Sequence, residues 1–483
     1  MRFPGSPLGV GYLAASIRSK HDVKVVDFNM EGAPLKKLLK TIREFDPHMV
    51  GFTATTPQFE GTVNMARAVK NQSDVPIIFG GNHVTVLPER SLMLEGVDLV
   101  MVREGEESFP AFLSEYEPGK TKYNTPGLGY LDENGQPVIN TPAPAIEPLD
   151  NLPFVAWDLL PMEKYRARLR PFANFMFSRG CPYNCIYCAS KMTHGRKIRK
   201  RSLDHIMEEL RMIERDYGIG FLAIWDDILT ADRDFIMDFC ERKMQEGIKM
   251  EFWGNTRVDK VDPELLATMK KAGLRILTFG IETGNSATLE FIKKGTNLDQ
   301  TRQAVEWTRN AGILPHGFLM INFPGETEKD IQNTIDFAFE LKLPLFDMWS
   351  AVPYPKTKYE EICRNLGLIP GEDDQDFSNY WFVTDVFYNG QVPRERVRRM
   401  LADARKKMFL RKVFITNYLD YMLRGAKPAP RDFYYYLTYL PTLAAEAVRS
   451  KLAYSSDLAG TQKLISQLPA QNENMPVDAN ITT

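Results

Sequence analysis

The sequence predicts an α/β protein in three parts: an N-terminal doubly wound (Rossmann-like) domain, a partial (β/α)6 barrel, and a helical C-terminal region. Three observations carry this. Short β-rich runs alternate with amphipathic stretches over the first 120 residues, a Pro/Asn/Gly-rich connector follows, and six further strand–helix units come after it. At 483 residues the chain has room for such an arrangement.

In the first part "SPLGVGYLAASIRSK" has helical periodicity, and "DVKVVDF", "HMVGFTAT", "VPIIFGG" and "VDLVMVREG" read as strands of a parallel sheet spanning residues 1–120. Such sheets bind ligands at the carboxyl ends of their strands, which here carry Asp27, Thr53 to Thr56, Gly80 with Gly81, and Gly105 with Glu106. Plain strand-to-helix connections also use short glycine turns, so this pattern alone leaves both readings open. The chain opens on "MRFPGSPLG", almost directly into a helix, where a domain of this kind begins on a buried strand. The expectation is a first strand that is missing or very short.

Residues 121–170 read as a linker, with "LDENGQPV" forming a hairpin about Asn134 and Gly135. Residues 171–360 form the barrel, on the strands "FANFMFS", "IGFLAIW", "KMEFWGNT", "RILTFGI", "HGFLMINF" and "FDMWSAV". Ser202 and Asp262 with Pro263 are helix start signals, and Gly218 and Gly273 are stops. Chemistry in barrels gathers on the loops after the strands, where the chain places a cysteine group, Asp226 with Asp227, Arg257, Glu282 and "FPGETEKD". Residues 361–465 read as mostly helical, and 466–483 as a polar disordered tail.

Composition excludes some functions. A formal charge of −2, from 60 Lys plus Arg against 62 Asp plus Glu, implies no nucleic-acid field. Five cysteines in so long a chain argue against a disulfide framework and for a reducing cytoplasm. No apolar run reaches the roughly 18 residues of a membrane span. "PRERVRRMLADARKKMFLRKVFITNYLDYMLRG" followed by "DFYYYLTYL" is either a solvated basic helix or a surface for peripheral membrane contact.

Three of the five cysteines fall in "SRGCPYNCIYC". Cys181, Cys185 and Cys188 make C-x3-C-x2-C on a glycine-led loop. Three thiolates around a [4Fe-4S] cube leave one iron open to an outside ligand, where four would close it. His194 could instead complete a Cys3His zinc site, although zinc sites favour paired ligands with a longer gap. Cys240 and Cys363 read as buried small hydrophobes.

"CPYNCIYC" on the first loop of a partial barrel resembles the cluster motif of the radical S-adenosylmethionine enzymes. "AIWDDILTADRD", "WGNTRVD", "GIETGNSATLEFIKKG" and "GFLMINFPGETEKDI" are similar to that family's later strand-end segments, and the resemblance covers about residues 171–360. It implies that the open iron takes the amino and carboxylate groups of S-adenosylmethionine, with Tyr187 by the adenine and Asp226, Arg257 and Glu282 holding the ribose and amino-acid end. "PYPKT" departs from the family pattern, because Lys356 stands where Gly is expected, and this puts a tight turn there in doubt.

The N-terminal segments "SPLGVGYLAASI", "VVDFNMEG", "DPHMVGFTATTPQF", "IIFGGNHVTVLPE" and "VREGEESF" resemble the cobalamin-binding domain of the branch holding hopanoid methylases and the anaerobic Mg-protoporphyrin monomethyl ester cyclase. This implies cobalamin bound by Thr55, Gly80, Gly81, His83, Gly105 and Glu106. "DPHMVG" matches the D-x-H-x-x-G cobalt-ligand motif, but it leads into a later strand, so His48 is read as a strand-entry residue and no protein histidine is expected beneath the cobalt. The resemblance implies reductive cleavage of S-adenosylmethionine and functionalisation of an unactivated carbon, first by methyl transfer and second by cyclisation or hydroxylation of a tetrapyrrole-like substrate. It also implies a ferredoxin- or flavodoxin-type electron donor and a small-molecule substrate, with lipids and tetrapyrroles among the candidates. An electron-transfer or zinc-stabilised binding protein without turnover is the reading of another class.

Overall fold

Val50–Thr53 (β1), Ile77–Gly80 (β2) and Leu99–Met101 (β3) are short apolar runs separated by amphipathic helices, the pattern that forces parallel pairing through crossovers. In this computed structural model, which describes residues 5–28, 30, 34–167, 170–371, 377, 380 and 387–410, these three strands pair in parallel in that order. Phe52, Phe79, Val63, Ala66 and Val100 form the core beneath them. By the clustering of its contacts the chain divides into two units, 1–426 and 427–483, and the second lies outside the described residues.

Two expectations for this part are corrected. The hairpin assigned to the linker, Leu128–Leu131 (β4) and Pro137–Ile139 (β5), joins the same sheet antiparallel to β3, giving the order β1-β2-β3-β4-β5. Leu128 and Tyr130 are buried against Phe112 and Tyr123, so leaving the hairpin free would expose that apolar face. "DVKVVDF" is no strand, because no partner among the described residues pairs with it. It runs unpaired instead, with Val25 against the barrel core, Phe28 against the first core and Asp27 accepting the Tyr165 hydroxyl at 2.9 Å. Of the residues before Pro7 expected to make a short first strand, Gly5 and Ser6 form none, and 1–4 lie outside the described residues.

The barrel is a seven-stranded sheet. Arg166–Ala167 (β6) pairs antiparallel with Arg170–Phe175 (β7) at one edge. Ser178–Arg179 (β8) and Arg199–Lys200 (β9) form a separate two-stranded ladder. Parallel pairing then runs from β7 through Phe221–Ile224 (β10), Glu251–Thr256 (β11), Leu274–Glu282 (β12) and Leu314–Ile321 (β13) to Leu345–Ser350 (β14). These are the six predicted strands in chain order. The helices between them bury Leu210, Phe239, Met269, Ala304 and Ile335 against one face of the sheet.

The caps follow the sequence signals. Ser202 accepts from the His205 amide and Asp262 from the Leu265 amide, while Gly218 takes the left-handed conformation that closes helix Leu203–Tyr217. At "PYPKT" the tight turn does form, with Lys356 itself at φ 60° and the Thr357 hydroxyl donating to the Tyr354 carbonyl at 2.6 Å. Beyond the barrel, helix Arg394–Leu410 is described. The basic and aromatic segments after it, and the tail, lie outside the described residues. Among the described residues no helix is long and apolar enough to cross a membrane.

Candidate active site at the strand ends

Gly180 decides the path of the cysteine loop. It sits at φ 101°, and a Cβ there would lie 2.2 Å from the Lys197 carbonyl oxygen, so only glycine lets the two ends of the loop approach this closely. The β8–β9 ladder pairs Arg179 with Arg199 and so closes residues 180–198 into a loop carrying Cys181, Cys185 and Cys188. Between the cysteines, Ile186 is buried; its amide donates to the Ile292 carbonyl at 3.1 Å, and its carbonyl accepts the Tyr359 amide at 3.0 Å.

All three cysteines are half-buried free thiols that feel one another electrostatically. Burial pushes the Cys188 thiol up to about 12 and raises Cys181. Iron would reverse this, because a bound metal holds the thiolate form. Among the described residues no three His, Cys, Asp or Glu side chains are gathered tightly enough to hold a single metal ion. A cube suits looser spacing, since each thiolate meets a different iron. His194 stands 3.8 Å from Glu104. Cys240 and Cys363 are both buried in apolar clusters.

The other strand ends converge on this loop to different degrees. Arg257 is 4 % exposed, lies 3.6 Å over the Tyr183 ring and is held by Asp259 at 2.8 Å, which leaves its Nη1 buried without a partner. That orphaned donor fits the carboxylate of an amino-acid ligand. Glu282 takes φ 68° beyond a register shift in β12 and accepts from Lys294 at 2.6 Å, with both side chains buried. Tyr187 lies beside the same carboxylate; its phenol is raised by burial first and by Glu282 second. Asp226 sits apart from this group. Its oxygens are taken by the Phe177 amide at 2.8 Å and the Ser178 hydroxyl at 2.5 Å, so it fixes the strand entering the loop and offers nothing directly to a ligand. Its neighbour Asp227, which accepts from Ser190 at 2.6 Å, is the one that faces the thiols.

The six residues expected at the first sheet lie at or beyond the carboxyl ends of β1, β2 and β3, which parallel pairing puts on one edge. Gly81 adopts φ 94° where a Cβ would meet Thr53 Oγ1 at 2.6 Å, and Gly105 packs against Leu13. Thr55 caps the following turn with Gln58. His83 is buried, stacks on Phe59 at 3.9 Å and has an unpartnered Nδ1; burial lowers it to about 3, so it stays neutral. Glu106 accepts from Arg179 through Oε1 at 2.6 Å, so one oxygen of its carboxylate holds the cysteine loop. His48 precedes β1 and lies at the opposite, amino edge. A side-chain-poor edge with one orphaned ring nitrogen fits a large flat cofactor approaching the backbone.

Strand alternation defines the inner wall of the barrel, which the sequence reading missed. Ala173, Leu222, Phe252, Leu277, Leu319 and Met348 pack toward the helices, so the opposite parity faces the lumen: Asn174, Trp253, Thr278, Phe318 and Trp349, with Trp225 just past β10. Trp225 meets Trp253 edge-on at 4.9 Å and donates to Asn174 at 2.7 Å; Phe318 lies 5.5 Å from Trp349. Below them Trp253 donates to Thr278 at 2.6 Å, Thr278 contacts His316 Nδ1 at 3.2 Å, and His316 Nε2 faces Asp347 at 3.4 Å. The arrangement using every proton has Thr278 donating to Nδ1, which places the imidazole proton on Nε2. The signal in sequence was a large aromatic at alternate positions of several strands.

A half-barrel with a three-cysteine loop at its strand ends, beside a parallel sheet with a glycine-rich binding edge, has the parts of a cofactor-dependent α/β enzyme. Residues 175–338 match the Radical SAM superfamily, and residues 1–113 match the B12 binding domain. An uncharacterized methyltransferase of Pyrococcus horikoshii is 33% identical over 422 residues, covering 86% of this chain and 91% of the relative. The anaerobic magnesium-protoporphyrin IX monomethyl ester cyclase of Rubrivivax gelatinosus is 26% identical over 424 residues, 85% of this chain and 74% of the cyclase. The structure of OxsB, a cobalamin-dependent S-adenosylmethionine radical enzyme, superposes with TM-score 0.69 over 95% of this chain and 73% of that one, at 16% identity, a likeness of fold. The chain belongs to the radical S-adenosylmethionine enzymes that carry a B12-binding domain. The cofactors of this family are a [4Fe-4S] cluster, S-adenosylmethionine and cobalamin.

Proposed function

We propose that this enzyme methylates an unactivated carbon of a small, uncharged, ring-bearing substrate held in the barrel lumen. The observation that carries the reading is the convergence of three free thiols on one loop with the unpartnered, buried Arg257 Nη1. When bound, the cluster supplies an electron to S-adenosylmethionine and cobalamin carries the methyl group. Cys181, Cys185 and Cys188 would hold the cluster, and Arg257 would bind the carboxylate of S-adenosylmethionine. The backbone hydrogen bonds of Ile186 to Ile292 and Tyr359 hold the adjoining Tyr187, and Lys294 fixes Glu282 beside it, so the aromatic wall of the adenine pocket would stand ready before the ligand arrives. Thr55, Gly80, Gly81, His83 and Gly105 would line the cobalamin edge. Trp225, Trp253, Phe318 and Trp349 orient a ring by stacking and keep water from the reacting carbon.

The methyltransferase relative, matched along both chains, supports methyl transfer over cyclisation. The cyclase relative spans both domains too, and oxidative chemistry on a tetrapyrrole-like ring is the second reading. Turnover needs an external reductant, for which a ferredoxin or flavodoxin in a reducing cytoplasm is proposed. For a lipid-borne substrate, the basic and aromatic composition after residue 390 supports contact with a membrane surface.

The test is anaerobic reconstitution with iron, sulfide and hydroxocobalamin, followed by reaction with methyl-labelled S-adenosylmethionine and reductant. Release of 5′-deoxyadenosine, and its loss in Cys185→Ala, is expected, as is label in the product. A loaded cluster that releases none overturns the radical reading, and unlabelled product overturns methylation in favour of cyclisation.

A further inference from the structure

Both ends of the cysteine loop are gripped by the neighbouring sheet. The segment after β3 presents Glu104 and Glu106 on either side of Gly105. Arg179, the last residue of β8, lies 3.1 Å from Glu104 and 2.6 Å from Glu106. Arg199, the first residue of β9, forks onto both oxygens of Glu104 at 2.7 and 2.8 Å and donates to the carbonyl of His194 inside the loop at 3.1 Å. The four side chains are at most 7 % exposed, so the charges are withdrawn from water and each depends on the others. Guanidinium forks fix direction as well as distance, which a loop of 19 residues between Arg179 and Arg199 does not otherwise possess.

We propose that Glu104 and Glu106 are positioning residues through which the first domain holds the cysteine loop in its iron-binding form, and that a corrinoid seated beside Gly105 tightens that hold. The first half stands on the ion pairs alone, and the second rests on the cobalamin reading above. The loop between the two carboxylates is shared by both cofactors, so ordering it for one lowers the cost of ordering it for the other, and the coupling is reciprocal.

The experiment follows iron loss to the chelator ferrozine from anaerobically reconstituted full-length protein, with and without hydroxocobalamin, for the unaltered chain, Glu106→Gln and Arg199→Lys. Glu106→Gln keeps the carboxylate shape without its charge, and circular dichroism checks its fold. The expected result is iron loss about tenfold faster in Glu106→Gln, with a changed electron paramagnetic resonance signal of the reduced cluster. Arg199→Lys, which keeps the charge and loses the fork, is expected to fall between. Hydroxocobalamin slows the loss about fivefold in the unaltered chain and not in Glu106→Gln. Iron loss and spectra unchanged in both variants overturn the clamp, and an unaltered chain that binds hydroxocobalamin without slower iron loss overturns the coupling. An unaltered chain that binds no hydroxocobalamin strikes the cofactor reading instead, while the corrinoid-free arm still decides the clamp.

Discussion

The Ser178 hydroxyl donates to the Asp226 carboxylate at 2.5 Å, and the Phe177 amide donates to its other oxygen at 2.8 Å. Together they join the end of β10 to the strand that leads into the cysteine loop. Burial raises Asp226 from 3.8 to about 6 despite these hydrogen bonds. Between those values the native state holds the proton more tightly than the unfolded chain, so stability falls as pH rises through that window, by at most about 3 kcal/mol. The side-chain amide introduced by Asp226→Asn is neutral throughout and still reaches both partners. Thermal unfolding of iron-free Asp226→Asn is therefore expected to show a flatter pH dependence from pH 4 to 7 than the unaltered chain. Parallel pH profiles would remove Asp226 as the cause.

Gly180→Ala places a methyl group 2.2 Å from the Lys197 carbonyl, in a backbone region that alanine avoids. The backbone must yield where β8 meets β9, which spreads the ends of the cysteine loop. The global fold rests on the large barrel core and is expected to survive, with unchanged circular dichroism. Iron bound per chain after reconstitution is expected to drop to a small fraction. Normal iron content in this variant would show that the loop tolerates a wider neck.

Arg257→Ala removes the buried donor with no partner and the cation resting on Tyr183. A charge-assisted hydrogen bond in a buried site contributes roughly 1.5–3 kcal/mol. Equilibrium dialysis of S-adenosylmethionine against cluster-loaded protein is expected to show affinity lower by about tenfold or more. Iron content, measured in parallel, separates this loss from any loosening of the loop through the Tyr183 contact. Undiminished affinity would assign the carboxylate to another group.

The barrel was legible in the sequence because every strand carries an apolar run, and because Ser202, Asp262 and Gly218 punctuate the helices locally. The cysteine loop was legible because its spacing is a property of one short contiguous run, Cys181 to Cys188. What escaped depends on contacts between distant segments. Glu106 reads as a ligand-loop acid until Arg179, 73 residues away, is folded against it. Asp226 and Asp227 are adjacent and chemically identical in sequence, and only the direction of the strand end decides which meets Ser178 and which faces the thiols. "DVKVVDF" has every local mark of a strand, but a strand needs a ladder partner. The lumen aromatics escaped because Trp253 and Phe252 look equally apolar until alternation is combined with the position of the helices.

Lys356 occupies the left-handed region at φ 60° inside the turn that launches helix Lys358–Asn365. A residue with a Cβ gives up about 1 kcal/mol there, and glycine does not. The amide of residue 356 donates to Glu360 at 3.1 Å, a bond that any residue type with an N–H retains. Lys356→Gly is therefore expected to stabilise the chain by up to about 1 kcal/mol, less the entropy glycine adds to the unfolded state. Chemical denaturation reads this directly. Destabilisation would mean that the lysine side chain contributes more than its backbone strain costs.

Trp225 is 46 % exposed, unusual for an indole whose ring meets Trp253 edge-on and whose nitrogen is bonded to Asn174. An aromatic fixed on two sides and open on the third is a stacking platform. Around Trp225 the wall is aromatic, amide and hydroxyl, with Arg257 at the rim and Arg275 at the base of the sheet tied to Glu251, so the wall favours a neutral ring over an anion. The neutral fluorophore N-phenyl-1-naphthylamine is therefore expected to bind, and cytidine monophosphate not to displace it. Each aromatic contact contributes about 1 kcal/mol, so Trp225→Ala and Trp349→Ala should each weaken the probe about fivefold. Met244→Ala, on the outer surface and 40 % exposed, serves as the control and should leave binding unchanged. Displacement by the nucleotide at similar concentration would instead point to an anionic substrate and a different use of the lumen.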